Sequence, residues 1–205
     1  MEILVIRHGQ SEADIIGCHE GRADFMLTEL GLKQASLLSC WIKENYPPDF
    51  ILSSTLNRAS QTAMKISEKI DVAIEYYDEL REFNNGLLAG LSFEEANIQF
   101  PEPKVKRIHD KFYEQESIIE FRARAETILS KVIYEYPYDK RIAIVSHGGM
   151  INMLFRSFLK LPNDTDVSIS TEDTGIHLLK IENGNRRIVF VNKIEHLSQI
   201  ARGGS

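Results

Sequence analysis

Two histidines in this sequence follow short apolar runs and stand beside glycine. Arg7-His8-Gly9 comes directly after the apolar run 3–6, and Ser146-His147-Gly148-Gly149 comes directly after the apolar run 142–145. Continuous aliphatic runs of this length are typical of buried strands, and open α/β sheets bind ligands at the carboxyl ends of their strands. The sequence therefore predicts that two strands each deliver a histidine to one edge of a sheet.

The residue types around these histidines suit a phosphate site. Arginine can fork onto phosphate oxygens, and an imidazole can attack phosphorus directly. Gly9 and Gly148 would let backbone amides approach an anion closely, and a helix after Gly148 could aim its N-terminus at that anion. A single histidine of this kind is more often a turn or core residue, so the prediction of a phosphate site rests on the presence of two such histidines.

Four short motifs with Arg, His or Glu occur along the chain, in the order Arg7-His8-Gly9, Ser53–Ala63 with Arg58, Leu80-Arg81-Glu82 and Ser146-His147-Gly148-Gly149. In order and spacing they resemble the histidine phosphatase (phosphoglycerate-mutase-like) superfamily, over roughly residues 1–191. The resemblance implies an α/β phosphomonoesterase that hydrolyses small phosphorylated metabolites through a covalent phosphohistidine. It implies neither a metal nor another cofactor.

The resemblance also implies which groups offset the charge of the phosphate. Arg7 and Arg58 would each fork onto phosphate oxygens, and His147, if protonated, would add a third cationic donor. Gly148 would add a backbone amide at the start of a helix. The expected phosphate-binding set is therefore Arg7, Arg58, His147 and Gly148.

The expected catalytic residues are His8, Glu82 and His147. A neutral His8 would attack phosphorus, and the neighbouring cations should disfavour its protonation. Glu82 would protonate the leaving alkoxide and, once ionised, activate water against the phosphohistidine. Without the resemblance, Glu82 could not be told apart from the rest of the 30 acidic residues.

Two places depart from the family pattern. Asp14 stands where family members commonly carry Asn, and a carboxylate beside the phosphate would repel it, so Asp14 is left out of the binding set. Leu88-Ala89 stands where phosphatase-like relatives often have Trp-Glu. Both changes concern the pocket wall more than the reacting groups.

Alternative functions remain open. Phosphoglycerate mutases share these motifs, but they are usually longer and differ after the acidic residue, so the compact stretch 85–90 favours hydrolysis. A non-catalytic phospho-ligand-binding module would be favoured by the loss of His8 or Glu82, and both are present. The histidines show no H-E-x-x-H or Cys/His ligand spacing, so we expect no metal site.

The composition is that of an ordinary globular protein, with 43% hydrophobic and 26% charged residues. The 205 residues contain no linker-like stretch, which predicts one domain over 1–205. The net charge of −6 disfavours a nucleic-acid surface. No leader or apolar run long enough to span a membrane is evident, and Cys18 and Cys40 lack redox spacing. We expect a cytoplasmic protein whose partner is a small phosphorylated substrate, with no membrane or nucleic-acid partner, and the oligomeric state stays open.

Alternating strand and helix patterns must position these residues. Apolar runs predict strands at 3–6, 50–52, 72–74, 142–145, 175–181 and 187–191. Helical spacing predicts helices capped by Thr28, by Ser53-Ser54 and by Ser117, and a further helix over 149–159. The order predicts a three-layer α/β fold: a mostly parallel sheet with helices on both faces and an antiparallel hairpin near one edge. The segments 10–27 and 78–90 should be loops, with 10–27 a wall of the pocket, and 92–116 a small helical cap.

Overall fold

A six-stranded mixed sheet organises the computed structural model, which describes residues 1–198. Its strands are β1 (Glu2–Arg7), β2 (Phe50–Ser54), β3 (Ile74–Tyr77), β4 (Arg141–Ser146), β5 (Ile176–Glu182) and β6 (Asn185–Lys193), in the spatial order β3-β2-β4-β1-β5-β6. The first four in that order run parallel, and β5 and β6 form an antiparallel hairpin at one edge. The predicted mixture of parallel strands and a terminal hairpin is confirmed.

Helices cover both faces of the sheet. They are α1 (Glu12–Ile16), α2 (Glu29–Asn45), α3 (Asn57–Ile70), α4 (Phe93–Gln99), α5 (Ile118–Glu135) and α6 (Gly148–Phe158). Side chains alternate along β1, so Ile3 and Val5 join one buried cluster with α5 and α6, while Leu4 and Ile6 join the other with α2 and α3. The three-layer α/β class is therefore confirmed.

Two of the predicted helix caps are confirmed and one is wrong. Oγ1 of Thr28 accepts from the N–H of Gly31 at 3.0 Å, and Ser117 forms a capping box with Glu120. The Ser53-Ser54 pair does not cap α3, because both residues still belong to β2 and the helix begins after Leu56. This correction leaves the Ser54 hydroxyl free to meet the active-site histidine described below.

The boundaries of three other segments differ from prediction. The strand predicted at 72–74 lies at Ile74–Tyr77, because Asp71 ends α3 in the left-handed region (φ 59°) and pairing with β2 starts only at Ile74. The segment 10–27 contains the short helix α1 rather than loop alone. The segment 92–116 contains the seven-residue α4 and is otherwise irregular, so a helical cap describes only its start.

Residues 10–27, which we call the β1–α2 connection, are joined to the segment after Glu82. The N–H of His19 donates to the carbonyl of Leu91, and the N–H of Gly90 donates to the carbonyl of His19. Gly21 has a φ of 47°, and a Cβ there would lie 1.6 Å from the Asn85 side chain, so only glycine fits at this contact. None of the helices within residues 1–198 is both long and apolar enough to cross a bilayer.

Candidate active site

The two motif histidines lie side by side at the carboxyl ends of neighbouring strands. β1 and β4 pair in parallel with Arg7 opposite Ser146, so the next residue on each strand is a histidine. The ring centroids of His8 and His147 are 5.0 Å apart, and the residues are 1% and 0% exposed. The predicted juxtaposition is therefore present, and it is buried.

One ring nitrogen of His8 is held by the backbone, and the other makes no hydrogen bond within residues 1–198. Its Nδ1 lies 2.7 Å from the carbonyl oxygen of Gly9, which can only accept, so Nδ1 carries the proton and Nε2 carries the lone pair. Burial lowers the pKa of His8 well below its usual value, and the cations Arg58 and Arg7 lower it further. The predicted effect of the cations is present, although burial is the larger cause.

His147 is held by a hydroxyl from the neighbouring strand β2. Its Nε2 lies 2.8 Å from Oγ of Ser54, and that oxygen already accepts from the N–H of Leu56 at 3.3 Å. His147 Nε2 is the one acceptor within hydrogen-bond distance of this hydroxyl among the described residues, so the Ser54 hydroxyl donates to Nε2 and the proton of the imidazole is on Nδ1. Nδ1 is buried and has no hydrogen-bond partner among residues 1–198.

The charge state of His147 differs from the one considered from the sequence. Burial lowers its pKa well below the usual value, and Arg58 lowers it further. His147 is therefore a neutral donor through Nδ1 in this structure, and not a third cation. The reason is that burial and the nearby guanidinium both destabilise a positive charge on this imidazole.

Arg58 lies fully buried in the first turn of α3, as its position after β2 predicts. Its two terminal nitrogens donate to the carbonyls of Ala23 and Gly21, each at 2.9 Å. Nε is buried and makes no hydrogen bond to the described residues. Burial lowers the pKa of this guanidinium, while the carboxylates of Glu20 and Glu82 oppose that shift.

Arg7 is oriented in a similar way from the end of β1. One terminal nitrogen donates to the carbonyl of Thr171 at 2.7 Å, and the other lies 3.4 Å from the carboxylate of Asp173. Nε is buried and unpartnered within the described chain. In each arginine the two terminal nitrogens contact protein oxygens, and Nε makes no hydrogen bond to the described residues.

Glu82 lies against the N-terminus of α6. One carboxylate oxygen accepts from the N–H of Gly149 at 2.9 Å, and the other accepts from the N–H of Phe83 at 2.8 Å. A Cβ on residue 149 would lie 2.4 Å from Oε1 of Glu82, so the glycine makes room for the carboxylate. The Ser146-His147-Gly148-Gly149 motif and Glu82 therefore form one local structure.

A buried ion pair that sequence reasoning missed holds the backbone around Glu82. Arg124 of α5 donates to the carbonyls of Glu79, Arg81 and Glu82 at 2.7, 2.8 and 3.1 Å. It also binds Glu116, whose carboxylate accepts from the N–H of Asn84 at 2.6 Å. Nothing in the sequence marks Arg124, because its partners are backbone carbonyls of a segment more than 40 residues away.

The glycines flanking the two histidines differ in what they do. A Cβ on Gly148 would meet nothing within 4 Å, so this first residue of α6 faces open space and its backbone can be approached by a ligand. Gly9 does not serve that purpose. Its N–H donates to Thr62, and a Cβ would lie 2.7 Å from the carbonyl oxygen of Gly31, so Gly9 is required by packing against α2.

Glu20, another residue that the sequence did not single out, lies beside His8 and Arg58. Its carboxylate is 3.9 Å from Nε2 of His8 and 3.5 Å from Nε of Arg58. Asp14 has a different role from Glu20, because its carboxylate accepts from the N–H of Ser11 in the capping box that begins α1. Leaving Asp14 out of the phosphate-binding set agrees with this geometry.

Metal ligands are not clustered in the described part of the chain. Within residues 1–198, no group of three or more His, Cys, Asp or Glu side chains is arranged to hold a metal ion. The positive charge beside His8 comes from the two arginines, whose positions are fixed by the carbonyls described above.

Comparison with known proteins gives the family context of this site. The family described as "Histidine phosphatase superfamily (branch 1)" matches residues 3–194. The chain is 28% identical over 170 residues to a glucosyl-3-phosphoglycerate phosphatase of Mycobacterium tuberculosis, covering 78% of this chain and 76% of the relative. It is 26% identical over 166 residues to a probable phosphoglycerate mutase, GpmB, of Yersinia pestis, covering 79% and 76%.

A solved structure with similar fold and length is the phosphoserine phosphatase of Entamoeba histolytica in complex with 3-phosphoglyceric acid. The TM-score is 0.77 with 26% sequence identity, and the match covers 96% of this chain and 98% of the other. The likeness therefore includes the whole sheet and the helices on both of its faces.

Proposed function

The chain belongs to the histidine phosphatase superfamily and is a phosphomonoester hydrolase of small substrates, and we propose that it works through a phosphohistidine on His8. The observation that supports this most directly is the state of the donors around His8. Nε2 of His8 carries a free lone pair, and Nε of Arg7, Nε of Arg58 and Nδ1 of His147 are buried donors that make no hydrogen bond within residues 1–198. The nearest carboxylate to Nε of Arg58 is that of Glu20, at 3.5 Å. Buried donors are normally paired, so an unpaired set around one lone pair favours an anionic ligand there.

The first half-reaction uses His8 as nucleophile. Nε2 donates its lone pair to phosphorus, the bond from phosphorus to the ester oxygen breaks, and Glu82 gives that oxygen its proton. The guanidinium groups of Arg7 and Arg58, the neutral N–H of His147 and the backbone N–H of Gly148 offset the charge on the phosphoryl oxygens. The product of this step is an alcohol and a phosphohistidine.

The second half-reaction returns the enzyme to its starting state. The carboxylate of Glu82 accepts a proton from water, the water oxygen attacks phosphorus, and the bond from phosphorus to Nε2 breaks. Inorganic phosphate leaves, and His8 is neutral again. Because burial and two cations hold the pKa of His8 low, protonation of Nε2 does not compete with the next attack near neutral pH.

A mutase uses the same first step, but must keep water from the phosphohistidine until a second hydroxyl accepts the phosphoryl group. The compact Asn85–Gly90 stretch after Glu82 favours hydrolysis. A phosphatase should convert 3-phosphoglycerate, if at all, into inorganic phosphate with little 2-phosphoglycerate. Rapid interconversion of the two phosphoglycerates, primed by the bisphosphorylated acid, would contradict the proposal.

The proposed function is tested by measuring phosphate release from a panel of phosphorylated metabolites and from an aryl phosphate. Wild type should release phosphate from the aryl phosphate and from at least one metabolite, and His8→Ala should release it at least about 10⁴-fold more slowly. His109→Ala is the matched control, because this histidine is exposed and lies 3.5 Å from the carboxylate of Asp110. Equal activity in His8→Ala and wild type would contradict the assignment of the nucleophile.

A further inference from the structure

The carboxylate of Glu20 lies among the groups that we assign to phosphate. One oxygen is 3.9 Å from Nε2 of His8, and the other is 3.5 Å from Nε of Arg58. The side chain is 19% exposed, and Ser11, which is fully buried, donates its hydroxyl to the same carboxylate. Glu20 is therefore held inside the pocket and is not directed into solvent.

This position conflicts with a bound phosphoryl group. In-line attack by His8 needs phosphorus at about 3–3.5 Å from Nε2. The phosphoryl oxygens then compete with the Glu20 carboxylate for the space beside Nε2 and for Nε of Arg58. The two anions also repel each other strongly, since the pocket is shielded from bulk water.

We propose that Glu20 is an internal competitor of phosphate, which pairs with Arg58 and must be displaced when a phosphoryl dianion binds. The inference rests on the proposed function, because it takes His8 and Arg58 as phosphate-binding groups. It assigns Glu20 to product release: free inorganic phosphate binds weakly because it must displace a charge. A substrate meets the same cost but offsets it through contacts of its leaving group, which inorganic phosphate lacks.

The other role open to Glu20 is to hold Arg58 in place. Arg58, however, already donates to the carbonyls of Gly21 and Ala23, each at 2.9 Å, and these bonds orient its guanidinium without Glu20. The two roles predict opposite results. Removing a competitor tightens the binding of phosphate, whereas removing a brace weakens it.

The test is the dissociation constant of inorganic phosphate, measured by calorimetry at mildly alkaline pH, where phosphate is a dianion. Glu20→Gln keeps the size of the side chain and removes its charge. It should bind phosphate at least about tenfold more tightly than wild type, because a unit charge a few ångströms away in a shielded pocket acts with at least that effect. Glu12→Gln is the matched control, since Glu12 is exposed on the same connection and should leave binding within about twofold of wild type.

A second variant distinguishes the proposed effect from a folding defect in Glu20→Gln. Glu20→Ala removes both charge and bulk and should bind phosphate at least as tightly as Glu20→Gln, which damage to the fold would not produce. Aryl phosphate turnover by wild type reports on the proposed function separately. Turnover in wild type, together with Glu20 variants that bind phosphate no more tightly than wild type, would overturn the role of Glu20 alone.

Discussion

Two pairs of buried histidines occupy different parts of this sheet. His8 and His147 follow the parallel strands β1 and β4, while His177 lies in the antiparallel strand β5 and His196 lies just after β6. All four have lowered pKa values, and His177 and His196 are each lowered to about 4. A lowered pKa therefore does not by itself distinguish the catalytic histidines.

The surroundings of the rings do distinguish the two pairs. His177 uses both ring nitrogens, accepting from the N–H of Asn192 at 3.1 Å and pairing with the Thr171 hydroxyl at 3.0 Å. Burial alone lowers its pKa, and the same is true of His196. At His8, by contrast, Arg58 and Arg7 add to burial, and Nε2 stays free. Nδ1 of His196 is also without a partner among residues 1–198, so we propose that the adjacent cations, and not an unpaired nitrogen alone, mark the reactive imidazole.

The largest expected effect separates His8 from His177. His8→Ala should lose turnover by about 10⁴–10⁶, the range seen when a covalent nucleophile or its partner is removed. His177→Gln should keep turnover near wild type and lower the free energy of unfolding by about 1–3 kcal/mol, because buried polar partners are left unsatisfied. Steady-state kinetics and urea unfolding on both variants measure this. Comparable losses of turnover would remove the distinction between the two pairs.

The second effect concerns Glu82 and the leaving group. Glu82→Gln can still donate a hydrogen bond but cannot transfer a proton. Single-turnover phosphorylation of His8 should therefore slow by about 10²–10⁴ with an alkyl phosphate and much less with an aryl phosphate whose leaving group departs unaided. Glu116→Gln tests the neighbouring buried carboxylate and should slow both substrates to the same degree, since its carboxylate contacts the Asn84 N–H, Arg124 and Arg22. Equal losses on the two substrates in Glu82→Gln would show that Glu82 positions or binds.

The third effect compares two buried arginines that both hold backbone carbonyls. Arg58→Met should lower kcat by about 10²–10³, the usual cost of losing a donor to a developing charge. Arg122→Met is the control, because Arg122 is 6% exposed and donates to the carbonyls of Arg156 and Leu161 in another part of the molecule. It should change stability and leave kcat near wild type. Unchanged kinetics in a folded Arg58→Met protein would mean that Arg58 is only structural.

A smaller effect is the pH dependence of stability. His177 and His196 have pKa values of about 4 in the folded chain and about 6.5 when unfolded, so the unfolded chain binds more protons between these values. Stability is therefore complete above about pH 6.5 and falls as the pH drops toward 4, by at most about 3 kcal/mol per histidine. Urea unfolding across this range measures the loss. A flat profile would show that these imidazoles are not buried as described.

The smallest expected effect is that of chelator. Because the charge on the phosphoryl group is offset by Arg7, Arg58 and the neutral donors, kcat and KM should stay unchanged when a chelator is present. Assays with chelator and with chelator plus excess Mg²⁺ or Zn²⁺ check this. A requirement for either ion would contradict the proposal that Arg7, Arg58 and the neutral donors offset the charge of the phosphoryl group.

Most of the framework could be predicted because it depends on local patterns. The apolar runs give the strands, and parallel strands end at the same edge of a sheet, which predicts His8 and His147 at one edge. That β1 and β4 are direct neighbours is known from the structure. Arg58 could be placed because it lies in the first turn of the helix that follows β2. These residues are fixed by the elements that carry them.

The features that could not be predicted from the sequence depend on contacts between distant segments. Glu20 and Arg124 act on groups that only the folded chain brings near, and neither stands in a distinctive pattern. The neutral state of His147 follows from its complete burial and from the Ser54 hydroxyl. The Ser53-Ser54 pair was misjudged as a helix cap because β2 continues through it.

The central claim is that Nε2 of His8 carries the phosphoryl group during turnover. The most direct test is rapid quenching of a reaction with radiolabelled aryl phosphate, followed by peptide mapping of the protein. The account predicts a transient label on His8 that is stable in base and labile in acid, as expected of phosphohistidine, and that is absent from His8→Ala but present in His177→Gln. Turnover without a protein-bound label, or with a label on any other residue, would contradict it.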